Sequence, residues 1–335
     1  MQPSITLKNK LKDKFTALAA TSLMLAAALA SPAAQADYPE HPINMVVSYG
    51  PGGGTDLIAR ALAPYIEKYL GNGATIVVLN RPGAGGAIGF AEIARAKPDG
   101  YTIGFLNTPN MITIPIERKA QYHWTDFDLI GNLIDDPDSF AVNTSSNIKN
   151  LKDLAEYAKA NPGKVTVGTT GIGSDDHLSM LLFEKATGTK LTHVPYKGAG
   201  EVRSAISSGE IAMAAMNIGE AMAYIKAGSP MRDLGVMSQE RSPIAPDLPT
   251  FKEQGHDIIM SSLRGIGAPK GLPADVKEKL VKAVQQAVQD PGFQEKAKTM
   301  YAPLRYLAPA EYEAELRANE ELFQAFWKDT PWAEK

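Results

Sequence analysis

Two glycine-rich turns are the segments of this sequence best suited to hold an anion. They are Gly50-Pro51-Gly52-Gly53-Gly54-Thr55-Asp56 and Arg81-Pro82-Gly83-Ala84-Gly85-Gly86, and each stands between an apolar run and a helical pattern. Glycine lets successive backbone N–H groups converge on one point, and the following helix adds the positive end of its dipole. A tight strand-to-helix turn with Thr55 or Asp56 as its N-cap is the alternative interpretation of the first segment.

The second turn, with Gly89, resembles a Gly-x-Gly-x-x-x-Gly dinucleotide variant, but a secreted protein has little access to nicotinamide cofactors. The first turn does not match the common nucleotide-binding motifs. A P-loop ends in Gly-Lys-Ser/Thr, whereas Thr55-Asp56 follow the first glycines without a lysine. The dinucleotide fingerprint would need glycine in place of Thr55 or Ile58. Arg81 could make a bidentate contact with a carboxylate, or pair at the surface with an acid such as Asp99.

A third turn of the same kind is Thr169-Thr170-Gly171-Ile172-Gly173-Ser174. Ser174 is the predicted N-cap of the next helix, and the hydroxyl groups of the turn could close over a ligand. Asp175 and Asp176 suit the positive end of that helix. We expect no metal there, because two adjacent acids on a helix are not expected to face one ion. A hydrolase nucleophile elbow would need glycine at Asp176.

Two further polar residues are candidates for ligand contacts. Asn217 follows an apolar strand pattern and can both donate and accept hydrogen bonds, which suits a hydroxyl or a carboxylate. Arg264 lies in an apolar segment and needs an anionic partner, which is either a ligand or one of Asp175 and Asp176.

The N-terminus reads as a secretory signal peptide, with four lysines before an apolar run and Ala34-Gln35-Ala36 as the cleavage site. Cleavage leaves 299 residues with 30 basic and 36 acidic side chains, a formal charge of −6. This charge argues against nucleic-acid binding. The sequence has 0 cysteines, which excludes a lipobox anchor, disulfides and thiolate metal sites.

Strand and helix patterns alternate along the mature chain and predict an α/β protein with two lobes and a ligand cleft between them. The predicted strands are 43–49, 75–79, 101–106, 139–142, 164–168, 191–194, 210–216 and 232–237. The predicted helices are 55–70, 86–96, 150–160, 174–185, 201–208, 275–289 and 309–326. We predict residues 37–139 and 261–335 as the first lobe and 140–260 as the second.

Several ordered motifs identify a family resemblance over nearly the whole mature chain. They are Tyr49–Asp56, Asn80–Gly86, Lys97-Pro98-Asp99-Gly100-Tyr101-Thr102, Val194-Pro195-Tyr196-Lys197-Gly198 and Pro246-Asp247-Leu248-Pro249-Thr250. Together they resemble the Bug/TctC family, the periplasmic solute-binding proteins of tripartite tricarboxylate transporters. The resemblance implies a type II periplasmic binding protein, a Venus flytrap that clamps one small carboxylate and delivers it to a membrane permease.

The resemblance and the motifs together predict one set of ligand-binding residues. These are Tyr49, Gly50, Gly52, Gly53, Thr55, Asp56, Arg81, Gly83, Ala84, Gly85, Thr108, Thr169, Thr170, Gly173, Ser174, Asn217 and Arg264. The family often has aspartate at the position of Met216 and an aromatic pair at Leu263-Arg264. These departures disfavour an amino-acid ligand and favour a second or third carboxylate, as in a citrate-like acid.

The expected protein is a periplasmic monomer with no catalytic residue, cofactor or metal. A secreted hydrolase acting on an acid is one alternative, although the five histidines are scattered without ligand spacing. A subunit that presents its ligand to a membrane sensor kinase is another, since the same fold could serve both purposes.

Overall fold

The computed structural model describes residues 38–333. Contacts between Cα atoms divide the chain into Met1–Glu40 and His41–Lys335, and every element below belongs to the second unit. In the part of the chain that the structure describes, no helix combines the length and apolar character needed to cross a membrane. The predicted signal peptide, residues 1–36, lies outside the described residues.

Strands and helices alternate along most of the second unit. The strands are β1 (Ile43–Val47), β2 (Ile76–Asn80), β3 (Thr102–Asn107), β4 (Phe127–Asn143), β5 (Thr166–Thr169), β6 (Thr192–Pro195), β7 (Met213–Asn217), β8 (Met231–Val236), β9 (Ser261–Pro269) and β10 (Leu304–Leu307). The helices are α1 (Gly54–Leu70), α2 (Ala87–Ala94), α3 (Asn110–Glu117), α4 (Leu151–Ala160), α5 (Asp175–Thr187), α6 (Ala199–Ser208), α7 (Ile218–Lys226), α8 (Ala274–Gln289), α9 (Pro291–Thr299) and α10 (Pro309–Asp329).

The strands form two sheets that share β4. The sheet of the first lobe has the order β2-β1-β3-β9-β4, with β10 also beside β4. The sheet of the second lobe has the order β4-β7-β5-β6, with β8 also beside β4. The predicted parallel arrangement of β1, β2 and β3 is confirmed, whereas β9 runs antiparallel to both β3 and β4.

The long strand β4 carries the chain from one sheet to the other. Its residues up to Pro137 pair with β9, and from Asp138 onward they pair with β7. Strand β9 leads back into the first sheet from Ser261. The exchange of partners lies close to the predicted crossings, but the lobe boundaries at 139/140 and 260/261 remain a prediction, because a change of sheet does not by itself define a rigid body.

Apolar periodicity explains how the elements pack in each lobe. In α1, Ile58, Leu62 and Ile66 recur every four residues and are almost completely buried. In α4, Leu151, Leu154 and Ala158 form the same kind of buried stripe. These faces hold the helices on their sheets, so that the turns leading into α1 and α5 are fixed in place.

Some elements differ from the sequence prediction. The helix predicted from Gly86 is a 3₁₀ turn at Ala84–Gly86 followed by α2, because Gly85 and Gly86 have φ angles of 69° and 103°. The strand predicted at 139–142 is only the end of β4. Five elements, α3, α7, β9, α9 and β10, were not predicted.

Candidate functional site

The turns that lead into the helices meet at one narrow space, which we call the cleft. Thirteen residues line it: Tyr49, Gly53, Gly54, Thr55, Asn107, Thr170, Asp175, Gly198, Ala199, Asn217, Glu220, Ser262 and Arg264. They come from both sheets and from the helices that follow them. The cleft has a volume of about 30 Å³, which is room for one or two water molecules. A dicarboxylate does not fit into this volume.

A wider outer pocket adjoins the cleft, and Thr170 lines both spaces. Its volume is about 330 Å³. The predicted residues Gly83, Ala84 and Gly85 line this outer pocket rather than the cleft, together with the cationic side chains of Arg118 and Lys197. The second glycine-rich turn thus lines the outer pocket and not the cleft.

The first glycine-rich turn already holds two carboxylates of the protein itself. The N–H of Gly54, the first residue of α1, donates to Oε1 of Glu220 in the second lobe at 2.8 Å. The N–H of Gly52 donates to Oδ2 of Asp56 at 2.9 Å. The turn is therefore an anion-binding turn, and Glu220 occupies its open side.

Asp56 supports this turn from within the first lobe. It is buried, and its Oδ1 accepts hydrogen bonds from Arg60 at 3.0 Å and Asn80 at 2.9 Å. Burial alone would raise the pKa of Asp56, but these bonds and the one from Gly52 hold the pKa below its usual value. The structure gives Asp56 a local partner for each oxygen, and it does not line the cleft.

Arg81 has a different partner from the one considered in the sequence. Its Nε donates to Oε2 of Glu92 at 2.9 Å, not to Asp99. The side chain of Arg81 is 42% exposed and lines neither the cleft nor the outer pocket. Thr108 is also outside the cleft lining, and it ties β3 to β9 by accepting a hydrogen bond from Leu263 N–H at 3.0 Å.

The hydroxyl groups of the second-lobe turn mostly bind within that turn. Thr170 N–H and Oγ1 both donate to Oδ2 of Asp176, at 2.8 and 2.6 Å. Ser174 is the N-cap of α5, as predicted, and accepts from His177 N–H at 3.1 Å. Thr169 and Ser174 are fully buried, so of the three hydroxyl residues only Thr170 lines the cleft.

The two lobes touch through their turns. Thr113 Oγ1 of the first lobe donates to the carbonyl of Gly173 at 2.6 Å. The hydroxyl of Tyr224 in α7 donates to the carbonyl of Gly52 at 3.1 Å. Gly50 N–H donates to the carbonyl of Lys197 at 3.5 Å. Gly50, Gly52 and Gly173 therefore contribute backbone contacts between the lobes.

Arg264 is the buried cation of the cleft, with an exposed fraction of 3%. Its Nη2 lies 3.2 Å from Oδ2 of Asp136 and 3.2 Å from Oε1 of Glu220. It also donates to Oδ1 of Asn217 at 2.7 Å. Of the two partners considered in the sequence, the pairing with Asp175 or Asp176 is not formed, because β4 and α7 bring two other acids, Asp136 and Glu220, closer to Arg264.

Asn217 joins this arginine to a group of buried acids. Its Nδ2 donates to Oδ2 of Asp175 at 2.7 Å and to the carbonyl of Asp136 at 2.9 Å. Burial raises the pKa of Asp136 to about 7 and also raises the pKa of Asp175. Both the nitrogen and the oxygen of the Asn217 amide are thus hydrogen-bonded within the protein.

Three carboxylates converge behind the cleft, contrary to the expectation that adjacent acids cannot do so. Oxygen atoms of Asp138, Asp175 and Asp176 lie within 4.8 Å of one another. Asp138 comes from β4, and the other two come from the first turn of α5. Burial raises the pKa of all three, which favours their protonated forms and so weakens the repulsion between them.

The predicted ligand-binding set did not include seven residues of the cleft lining, nor Asp136 beside Arg264; the seven are Gly54, Asn107, Asp175, Gly198, Ala199, Glu220 and Ser262. Asp136 belongs to the acidic run Asp135-Asp136-Pro137-Asp138, which was a visible signal. Asn107 ends β3, where ligand-binding residues are expected in such sheets. Glu220 lies in the first turn of α7, a helix that was not predicted.

Comparison with known proteins places this geometry in a family. The profile described as the tripartite tricarboxylate transporter family receptor, TctC, matches residues 58–303. The structure of the periplasmic binding protein BugD is 34% identical and covers 89% of this chain and 100% of its own, with a TM-score of 0.83.

Two solved structures from Rhodopseudomonas palustris contain a small acid. MatC (Rpa3494) with bound malate is 25% identical, with a TM-score of 0.80 over 86% of this chain and 99% of its own. Rpa4515 with adipate is 26% identical, with a TM-score of 0.82 over 87% of this chain and 97% of its own. The chain belongs to the Bug/TctC family of periplasmic solute-binding proteins.

Proposed function

We propose that this protein captures a small di- or tricarboxylate in the periplasm and delivers it to the permease of a tripartite tricarboxylate transporter. The observation that carries the ligand class is Arg264. Its guanidinium lines the cleft, and its Nε has no hydrogen-bond acceptor among residues 38–333. A carboxylate is the acceptor that an arginine N–H binds most strongly. The anion-binding turn adds the backbone N–H of Gly54, which Glu220 now accepts from, on the same cleft.

A second unpaired atom favours a ligand that also carries a hydroxyl group. Oδ1 of Asn107 is buried in the lining of the cleft and accepts no hydrogen bond from the described residues. Its Nδ2 is fixed by donation to Thr55 Oγ1 at 2.8 Å, which holds the oxygen in place. A hydroxyl could donate to Oδ1, and malate, the ligand in the MatC structure, has such a group.

The charges around the cleft favour two ligand carboxylates over three. Arg264 is the buried cation of the lining, while Asp175 and Glu220 line the same space and Asp136 lies directly behind it. Each further ligand carboxylate would add to the acids that already share this one buried cation. The second carboxylate fits better toward the outer pocket, where Arg118 and Lys197 supply positive charge.

One hydroxyl–histidine pair bears on the hydrolase alternative. Oγ1 of Thr169 lies 2.6 Å from Nε2 of His193, a distance that suits a nucleophile and its base. Thr169 has an exposed fraction of 0%, and neither residue lines the cleft. Because a substrate could not reach this hydroxyl, the pair supports packing of the turn rather than catalysis.

Calorimetric titration of the mature protein with malate, succinate, adipate, citrate and tricarballylate tests the proposal. We expect the hydroxylated dicarboxylate malate to bind more tightly than succinate, and dicarboxylates to bind more tightly than citrate. Asn107→Ala should reduce the preference for malate over succinate by about tenfold. Asn161→Ala is the matched control, since the Asn161 amide lies at an exposed helix end and lines neither the cleft nor the outer pocket. Absence of binding to every acid would refute the proposal.

A further inference from the structure

Glu220 supplies the cleft with a carboxylate that is bound as a ligand would be. Its Oε1 accepts from Gly54 N–H at 2.8 Å and lies 3.2 Å from Nη2 of Arg264. The residue is 9% exposed, so solvent contributes little to its stabilisation. A backbone donor at a helix N-terminus and an arginine are the two groups expected to hold an incoming carboxylate.

The space beside Gly54 is too small for a second anion while Glu220 occupies it. A Cβ atom added to Gly54 would collide with Oε1 of Glu220 and with Nη1 of Arg264. The free volume of about 30 Å³ is smaller than any dicarboxylate needs. A ligand carboxylate and the Glu220 carboxylate therefore cannot occupy this position together.

The same helix also holds the lobes together. Glu220 and Tyr224 stand one turn apart on α7, and they bind Gly54 N–H and the Gly52 carbonyl of the first-lobe turn. One face of α7 thus contacts both a donor and an acceptor of the anion-binding turn. Opening of the cleft requires both bonds to break.

We propose that Glu220 is an internal competitor that sets ligand affinity: without ligand it fills the anion position between Gly54 and Arg264 and holds the lobes closed. A ligand carboxylate takes that position only by displacing it. This inference rests on the proposed function, which identifies the ligand that competes with Glu220 as a carboxylate. The apparent affinity is then the intrinsic affinity multiplied by the fraction of molecules in which Glu220 does not occupy the site.

The test combines small-angle scattering of the ligand-free protein with calorimetry, using malate and succinate as probes. Glu220→Gln keeps the shape of the side chain and removes its charge. We expect a larger ligand-free radius of gyration than in the wild type and a Kd for the acids about tenfold lower. Glu156→Gln is the matched control, because Glu156 is a second-lobe glutamate whose side chain is 67% exposed, and it should change neither quantity.

Two results would overturn the inference. They are an unchanged ligand-free radius of gyration in Glu220→Gln, or binding of the acids that is weaker than in the wild type. If Glu220→Gln does not fold, Glu220→Asp, which withdraws the carboxylate from Gly54 but keeps a charge near Arg264, should show the same expansion. If the wild type binds neither acid but Glu220→Gln still expands, the proposed ligand class fails while the internal contact stands.

Discussion

Arg264 Nη2 donates to Asn217 Oδ1 at 2.7 Å, so that a buried cation of the first-lobe sheet is tied to the residue that ends a strand of the second. The opposite end of the same amide donates to Asp175 at 2.7 Å. Asn217 is therefore the polar bridge between the arginine and an acid of α5. Both of its bonds are buried, which makes them costly to lose.

Asn217→Ala should lower the free energy of unfolding by about 1–3 kcal/mol, because it leaves buried polar groups without their partner. Urea denaturation followed by circular dichroism measures this change. Asn161→Ala is the control, since the Asn161 amide bonds to the Tyr157 carbonyl at an exposed helix end, and it should cost less. An equal cost for the two variants would show that the buried bridge stabilises the protein no more than the exposed hydrogen bond of Asn161 does.

Gly54→Ala should weaken malate binding by about tenfold or more, equivalent to about 1.4 kcal/mol. The new methyl group would occupy the space where Arg264 and Glu220 now meet the turn. Gly53→Ala is a close control, because a Cβ there meets its nearest atom at 3.8 Å, an ordinary contact, and Gly53 has a φ of −81°. Calorimetry on both variants checks the prediction, and equal affinities would contradict it.

Arg81→Ala should leave carboxylate affinity within about twofold, because the partly exposed guanidinium pairs with Glu92 at 2.9 Å and such surface pairs contribute little. The measurement is the same titration with malate. A loss of tenfold or more would show that Arg81 moves to the ligand when the acid binds, as the alternative from the sequence had it.

The stacked pair of His177 and His193 predicts a pH dependence of stability. Burial lowers the pKa of His177 to about 3, and His177 Nδ1 accepts from Gly173 N–H at 3.2 Å. The unfolded chain takes up a proton near pH 6.5, whereas the folded protein does not. The stability from neutral His177 is thus fully present above about pH 6.5 and is lost as the pH falls toward 3.

His177→Gln lacks this titration and keeps an acceptor for Gly173. Between about pH 6 and pH 4 the wild type should lose stability relative to the variant by up to about 1.4 kcal/mol per pH unit. Urea unfolding of both proteins across this range measures the difference between their free energies of unfolding. Both proteins retain the buried acids, so the contribution of the acids cancels in this difference. A constant difference, or a His177 proton resonance that titrates near pH 6.5, would contradict the prediction.

Local patterns predicted the elements that have strong periodicity and clear end signals. The helix Ala274–Gln289 and the strand Thr102–Asn107 were predicted to within one residue at each end, because apolar spacing and the flanking turns mark them. Strand β4 was mostly missed, since Gly131 and the run Asp135-Asp136-Pro137-Asp138 resemble a loop. Asp136 and Asp138 are tolerated in a strand because the crossing between sheets buries them beside Arg264 and Asn217.

The sequence by itself determined the α/β class, the Bug/TctC resemblance and the glycine-rich turns that lead into helices, since these depend on residues close together in the chain. Only the tertiary structure decided which acid meets which donor. Gly54 and Glu220 are separated by 166 positions, yet their contact fills the anion position of the turn. No local pattern encodes such a pair, because it exists only when two sheets joined by β4 bring their helices face to face.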